Sequence, residues 1–147
     1  MTFSAGQRGE AVGLASAATG EVQRFFLGTE DRFTSVAFSP DGKLLAAGTE
    51  KGRVRLWTVG GRPVHVLEGH QGAVWSLAFA ADGKTLATAG DDGTARLWEL
   101  ATGKERARLT GHRGSVLAVA FAPDSNTLAT GGIDGRALLW KLSELAQ

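Results

Sequence analysis

The sequence predicts an all-β protein built from a repeated four-stranded unit. Similar segments recur along the chain: "LLAAGTEKGRVRLW" (44–57), "TLATAGDDGTARLW" (85–98) and "TLATGGIDGRALLW" (127–140). Short apolar runs alternate with Gly-containing turns, and no window has a convincing helical period. A reactive centre has no reason to occur three times in one short chain, whereas a structural unit that buries its apolar face against its own copy does.

The elements of one unit can be read in order from residue 73. The run "AVWSLAF" (73–79) ends at an Asp-Gly turn, and "TLATAG" (85–90) and "TARLW" (94–98) follow as alternating strands. The polar segment "KERARL" (104–109) suits an outer edge. Asp-Gly pairs supply the tight turns, because Gly adopts positive φ at little cost. Four short antiparallel strands recurring every 41 or 42 residues describe one blade of a β-propeller.

Counting the strands predicts about three and a half blades, which is an incomplete ring. Near the N-terminus, "EAVGLASAATGEV" (10–22) echoes "GTARLWELATGKE" (93–105), so it supplies a third and a fourth strand. The predicted organisation is a tail (1–9), a partial blade (10–29), a degenerate repeat 1 (30–70), repeat 2 (71–112), repeat 3 without a clear last strand (113–141) and a C-terminal tail (142–147).

Composition limits the classes of partner. The 147-residue chain has a formal net charge of +1 and no long run of Lys or Arg, which argues against nucleic acid and anionic membrane as partners. Cysteine is absent, which excludes disulfides and thiolate chemistry. Neither a secretory signal nor a membrane-spanning run is recognisable, so a cytoplasmic location is expected.

The chain resembles the WD-repeat family of β-propellers over residues 10–141. The resemblance is carried by Gly-His in "LEGH" (67–70) and "LTGH" (109–112), by an Asp in the turn before the third strand, and by the Trp that closes that strand. The dipeptides Trp57-Thr58, Trp98-Glu99 and Trp140-Lys141 replace the Trp-Asp that names the family.

The resemblance implies a hydrogen-bonded tetrad of His, Thr, Asp and Trp in repeats 2 and 3. The predicted members are His70, Thr88, Asp92, Trp98, His112, Thr130, Asp134 and Trp140. Repeat 1 has Thr29, Ala47 and Lys51 at the first three positions and retains only Trp57. We therefore expect apolar packing to dominate repeat 1 and expect it to be the least stable of the three.

Three chemical alternatives are weaker than this structural interpretation. A His–Asp–Thr set could form a catalytic triad, but both sets recur at the repeat spacing. Asp91-Asp92, with Glu50 and Asp134 in register, could hold a divalent cation, yet turn chemistry explains these acids more simply. The glycine-rich turns lack the Lys and the helix of a phosphate loop. We expect no catalytic residue, no cofactor and no metal.

The resemblance also implies a docking face for partner proteins, lined by residues that open the first strand or precede the turn Asp. The candidates are Thr34, Glu50, Trp75, Asp91, Leu117 and Ile133. Trp75 is an additional Trp outside the repeated position, and packing in the core is the alternative to docking. Exposed aromatics dominate interface energetics.

The sequence therefore predicts a non-catalytic scaffold or adaptor that binds a protein or peptide. The alternative is a regulatory or substrate-positioning module of a larger enzyme, such as a bacterial signalling kinase or protease. Because an open arc leaves apolar faces uncovered, we expect the chain to be part of a longer propeller. Self-association is one alternative to a longer propeller, and a designed or recently amplified origin is a second.

Overall fold

A computed structural model describes residues 2–5, 11–27 and 31–145, which form antiparallel sheets and no α-helix. The strands are, in chain order, β1 (Thr2–Ala5), β2 (Ala11–Ala15), β3 (Val22–Leu27), β4 (Phe33–Phe38), β5 (Leu44–Thr49), β6 (Arg53–Thr58), β7 (Pro63–Glu68), β8 (Val74–Phe79), β9 (Thr85–Gly90), β10 (Thr94–Glu99), β11 (Lys104–Thr110), β12 (Val116–Phe121), β13 (Thr127–Gly132) and β14 (Ala137–Lys141). A 3₁₀ turn, Leu142–Glu144, follows β14.

The strands form four meanders in which consecutive strands pair. We call them the N-terminal blade (β1–β3), blade 1 (β4–β7), blade 2 (β8–β11) and blade 3 (β12–β14). Blades 1 and 2 have four strands each, and the two outer sheets have three. The sheets form an unclosed arc of propeller blades, which confirms the predicted fold class.

Side chains alternate across each strand, so the two neighbouring residues Leu97 and Trp98 point to opposite sides of blade 2. We call the side bearing Trp98 the Trp face and the side bearing Leu97 the Leu face. The Leu faces of the N-terminal blade, blade 1 and blade 2 each pack on the Trp face of the following blade, as Leu56 does with Trp98 and Leu14 with Trp57. Each blade thus covers apolar surface that it cannot bury alone.

The first strands of the blades lie side by side at the inner edge of the arc, with β8 between β4 and β12. Each of these strands contains a register shift against its second strand, at Phe33/Ser35, Val74/Ser76 and Val116/Ala118. Such a β-bulge leaves one residue outside the ladder and redirects its side chain. The residues left out are Thr34, Trp75 and Leu117.

Two details differ from the sequence-based expectation at the ends of the arc. Residues 1–9, predicted as a tail, contain β1, which pairs antiparallel with β2 and satisfies backbone groups along one of its edges. The predicted C-terminal tail contains buried Leu142, whose amide donates to the carbonyl of Asn126 at 2.7 Å. Because β1 joins it, the N-terminal blade has three strands, whereas the sequence predicts two.

Among the described residues, no helix is long and apolar enough to span a membrane.

Candidate functional site

In blade 2 a chain of hydrogen bonds runs from the third strand to the connection that precedes the first. Trp98 Nε1–H donates to Thr88 Oγ1 at 2.9 Å, and Thr88 Oγ1 lies 2.7 Å from His70 Nε2. His70 Nδ1 lies 3.2 Å from Asp92 Oδ1. A neutral imidazole that accepts at Nε2 and donates from Nδ1 satisfies every member of this chain.

Blade 3 contains the same chain with similar geometry. Trp140 Nε1–H donates to Thr130 Oγ1 at 2.9 Å, and Thr130 Oγ1 lies 2.8 Å from His112 Nε2. His112 Nδ1 lies 3.1 Å from Asp134 Oδ1. Each tetrad joins the connection that carries the His to the hairpin formed by the second and third strands of the blade.

The carboxylates at the ends of the chains are held ionised. Burial opposes ionisation of Asp92, but hydrogen bonds from the Gln71 amide and from Thr94 outweigh it, so the pKa of Asp92 lies well below its usual range. The amide of Arg113, opposed by partial desolvation and aided by His112, lowers the pKa of Asp134 to about 2. Each carboxylate thus caps backbone amides as well as a ring nitrogen.

Burial lowers the pKa of His70, and the nearby carboxylate of Asp92 only partly opposes that shift. The ring is therefore neutral at neutral pH. Thr88 is fully buried and its hydroxyl is engaged by both Trp98 and His70, so it lacks the access to substrate that a nucleophile needs. This arrangement is that of a structural support.

Arg96 joins the blade 2 chain and was not singled out from the sequence. Its side chain is buried, and its guanidinium lies 3.1 Å from Asp92 Oδ2 and 2.9 Å from Glu105 Oε1 on β11. The arginine thereby links the tetrad to the outer strand. The equivalent residue of blade 3 is Leu138, so blade 3 lacks this extension.

In blade 1 other side chains accept the backbone amides of the corresponding turn. Thr29, which aligns with His70, lies outside the described residues. Buried Asp31, in the preceding connection, accepts the amide of Lys51 at 3.1 Å, and Thr49 Oγ1 accepts the amide of Arg53 at 3.0 Å. In blade 2 the equivalent turn carries Asp92, which accepts the amide of Gln71 in the connection and the amide of Thr94 at the start of the third strand. In blade 1 the carboxylate therefore lies in the connection and the amide lies in the turn, whereas in blade 2 the carboxylate of Asp92 lies in the turn and accepts an amide of the connection.

The three bulge residues lie at one end of the blades. Glu50, Asp91 and Ile133 lie at the same end, each one residue before the position that Asp92 occupies in blade 2. The amides of Glu50, Asp91 and Ile133 donate to the carbonyls of the connections that lead into β4, β8 and β12, at 2.8–2.9 Å. We call the resulting surface the bulge rim, and it consists of Thr34, Glu50, Trp75, Asp91, Leu117 and Ile133.

Hydrogen bonds join the bulge rim across blade boundaries. Trp75 Nε1–H donates to Asp91 Oδ1 at 3.2 Å, and Ser115 Oγ of blade 3 donates to the same oxygen at 2.7 Å. These two donors, Ser115 first, lower the pKa of Asp91. Thr34 of blade 1 donates to the carbonyl of Val74 in blade 2.

The rim exposes apolar surface. Trp75 is 41% exposed, Leu117 46% and Ile133 65%. Trp75 is therefore not a core residue, and its indole is fixed by its hydrogen bond to Asp91. The described residues contain no group of three His, Asp or Glu side chains arranged to hold a metal ion.

Comparison with known proteins agrees with this geometry. The family model described as "WD domain, G-beta repeat" matches the chain three times, over residues 20–58, 61–99 and 103–141. No curated protein matches the chain. Each matched segment ends on the third strand of a blade, just after its Trp.

Proposed function

The chain belongs to the WD-repeat family, and from this premise we propose that it is a non-catalytic interaction module that binds a protein or peptide at the bulge rim. WD repeats generally serve as scaffolds for protein–protein contacts. The six rim residues are the docking face that the sequence predicts, and we retain that assignment as a proposal. The alternative role within a larger enzyme receives no specific support from the features of this chain.

The observation that carries the proposal is the exposure of the bulge residues Trp75 and Leu117. A bulge residue takes no part in the ladder, so its side chain need not serve the sheet. An exposed Trp whose ring is already fixed by a hydrogen bond loses little conformational freedom when a partner covers it. Aromatic anchors of this kind carry a large share of interface binding energy.

The chemistry of the rim indicates the kind of partner segment it would suit. Leu117 and Ile133 offer apolar contact beside the indole, while Glu50 adds a carboxylate at the blade 1 end. Asp91 already accepts two side-chain hydrogen bonds, which favours a structural role within the rim. A segment with apolar side chains and one cation toward Glu50 complements this surface.

Peptide selection against the full chain, followed by affinity measurement on variants, tests the proposal. Peptides selected from a displayed random library are titrated against the parent, Trp75→Ala and Ile133→Asp. Loss of a central aromatic anchor costs about 2 kcal/mol, roughly a thirtyfold rise in Kd. Val66→Asp on the outer strand β7 is the matched control, because Val66 is also exposed and lies outside the rim.

Peptides that keep their affinity for Trp75→Ala and Ile133→Asp but lose it for Val66→Asp would place binding on the outer strands and refute the proposal. Circular dichroism of each variant checks that the sheets are retained.

A further inference from the structure

The outer strand of blade 1 exposes apolar side chains at the perimeter of the arc. β7 is the last strand in the order β4-β5-β6-β7, so it pairs with β6 along one edge, and no strand of the described residues pairs with its other edge. On this strand Val64 is 39% exposed and Val66 is 50% exposed. An apolar strand at a sheet edge offers both backbone groups and side chains to a second strand, and native proteins usually protect such edges.

The outer strand of blade 2 is protected, although its backbone pairs in the same way. The register of β6 with β7 passes over Val64, and the register of β10 with β11 passes over Arg106. Arg106 and Arg108, both exposed, are therefore the counterparts of Val64 and Val66. Charged side chains on an edge strand oppose pairing with another chain, whereas valines favour it. The two outer edges thus differ in their side chains and not in their backbone pairing.

The sequence of β7 is complementary to itself in the antiparallel direction. When His65 of one copy lies opposite His65 of another, Val64 lies opposite Val66 of the second copy. In the same register the exposed Arg62 lies opposite the exposed Glu68 of the second copy. Two-fold symmetry makes each of these contacts twice. Apolar pairs and pairs of opposite charge are both favourable across neighbouring strands.

We propose that β7 is a self-association edge, at which the outer strands of two copies of this chain pair antiparallel and join their blade 1 sheets into one continuous sheet. A second copy is the occupant because β7 itself supplies both members of every apolar and ionic pair. The same register applied to β11 would place Arg106 opposite Arg108 of the second copy, so that edge repels its own kind. The contact joins the perimeters of two arcs, so it stands independently of the function proposed for the bulge rim.

Reversing single charges tests the pairing. Arg62→Glu places two carboxylates opposite each other at both ends of the contact, and Glu68→Arg places two guanidinium groups there. Either variant should raise the Kd of the dimer by about tenfold or more in sedimentation equilibrium. An equimolar mixture of the two variants restores opposite charges at both ends, so its Kd should return to within about threefold of the parent value. Lys104→Glu reverses the charge at the equivalent of Arg62 on β11 and, as the control, should leave the Kd unchanged.

Recovery in the mixture separates association from folding. Arg53 Nε lies 3.0 Å from Glu68 Oε1 of the same chain, so Glu68→Arg also removes an ion pair within the monomer. Mixing two variants cannot restore a contact within one chain, but it does restore a contact between chains. Circular dichroism of each variant checks that the sheets are retained.

Two further variants test the apolar part of the contact and its register. Val66→Arg gives β7 the residue type that β11 carries at position 108, and it should raise the Kd of the dimer by about tenfold or more. The chain contains no cysteine, so introduced thiols report which residues lie opposite each other. A mixture of Val64→Cys and Val66→Cys should form disulfide-linked dimers faster than either variant alone, because Cβ atoms of opposite residues lie about 4.5–5.5 Å apart.

A parent chain that remains monomeric at every concentration would overturn the proposal. A mixture of Arg62→Glu and Glu68→Arg that associates no better than its separate components would overturn it too. A dimer whose Kd is unaffected by Val66→Arg would form through another surface, which also excludes β7. Faster cross-linking of Val66→Cys alone than of the mixture would place residue 66 opposite its own copy and refute the proposed register.

Discussion

The imidazole of His70 occupies the space that a side chain on residue 90 would need. A Cβ built on Gly90 would collide with His70 Nδ1 and would lie 2.8 Å from Cε1 of the same ring. Gly132 has the same relationship to His112, whereas blade 1 carries Thr49 at the equivalent position. Glycine is required at residues 90 and 132 by space, and its conformational freedom plays no part.

Gly90→Ala should destabilise the chain by about 1–3 kcal/mol, because the added methyl forces the buried ring to move. In His70→Ala/Gly90→Ala the collision with the ring is absent. The double variant should therefore lose less unfolding free energy than the sum of the losses of the two single variants. Urea denaturation of the parent, both single variants and the double variant measures the coupling. Gly60→Ala is the control, since its nearest neighbour would be Thr58 Oγ1 at 3.7 Å. Strict additivity would contradict the steric explanation.

Trp75 and Trp98 should respond differently to truncation, although both belong to blade 2. Trp98 is 3% exposed and packs with Val74 and Leu86, so Trp98→Ala should cost about 3–5 kcal/mol. Trp75→Ala removes an exposed side chain and one hydrogen bond, and a loss of about 1 kcal/mol is expected. Chemical denaturation of the two variants compares them directly. A loss of several kcal/mol for Trp75→Ala would show that the ring serves the core.

Asp31 should be a major polar support of blade 1. Its buried carboxylate accepts the Lys51 amide and lies 3.9 Å from the guanidinium of Arg53. Asp31→Ala leaves that amide without its acceptor, so we expect a loss of about 1–3 kcal/mol. Asp82→Ala is the matched control, because Asp82 accepts the Lys84 amide at 2.9 Å in an exposed turn. Equal losses in unfolding free energy for the two variants would show that burial of Asp31 adds nothing.

Acid should destabilise the chain in two stages. The pKa of His70 is lowered from 6.5 in the folded state, so the unfolded state takes up its proton first and stability falls as the pH drops below 6.5. The pKa of Asp134 is lowered from 3.8 to about 2, so its contribution is complete above pH 3.8 and is lost as the pH falls toward 2. Melting temperatures measured from pH 7 to pH 2 trace both stages.

Asp134→Asn isolates the lower stage of this pH dependence. The variant should melt at a lower temperature than the parent at pH 7, and the difference should shrink between pH 3.8 and pH 2. A constant difference across that interval would mean that ionisation of Asp134 does not support the fold.

Amide exchange should be fastest in blade 3 among the three repeated blades. The sequence indicated repeat 1 as the weakest, because it lacks the His, Thr and Asp of the tetrad. Blade 1 is nevertheless covered on both faces and has Asp31 and Thr49 in supporting positions. The Leu face and outer strand edge of blade 3 lack such cover over the described residues. Slower exchange in β14 than in β6, measured by mass spectrometry, would contradict this expectation.

The repeat made the fold predictable, because each unit must bury the same faces against its neighbours. The positions of Trp57, Trp98 and Trp140 indicate the third strands directly, and the turns give the strand order. The support of blade 1 was not predictable by alignment. Asp31 aligns with Gly72, so a search at equivalent positions finds no carboxylate there.

The bulges and β1 were also beyond the reach of the sequence pattern. A bulge depends on how two strands align, and the run "AVWSLAF" reads equally well with or without one. Likewise, "TFSA" (2–5) is too short and too weakly patterned to indicate a strand before its partner β2 is known.

The β-bulge at the start of each first strand lets the residue there vary without changing how the strands pair. Thr34, Trp75 and Leu117 differ in size and polarity, yet the strands that carry them pair in the same way. A duplicated unit can therefore acquire a new affinity through one substitution while its architecture stays unchanged. Variation at this single position gives successive copies different surfaces on an identical frame.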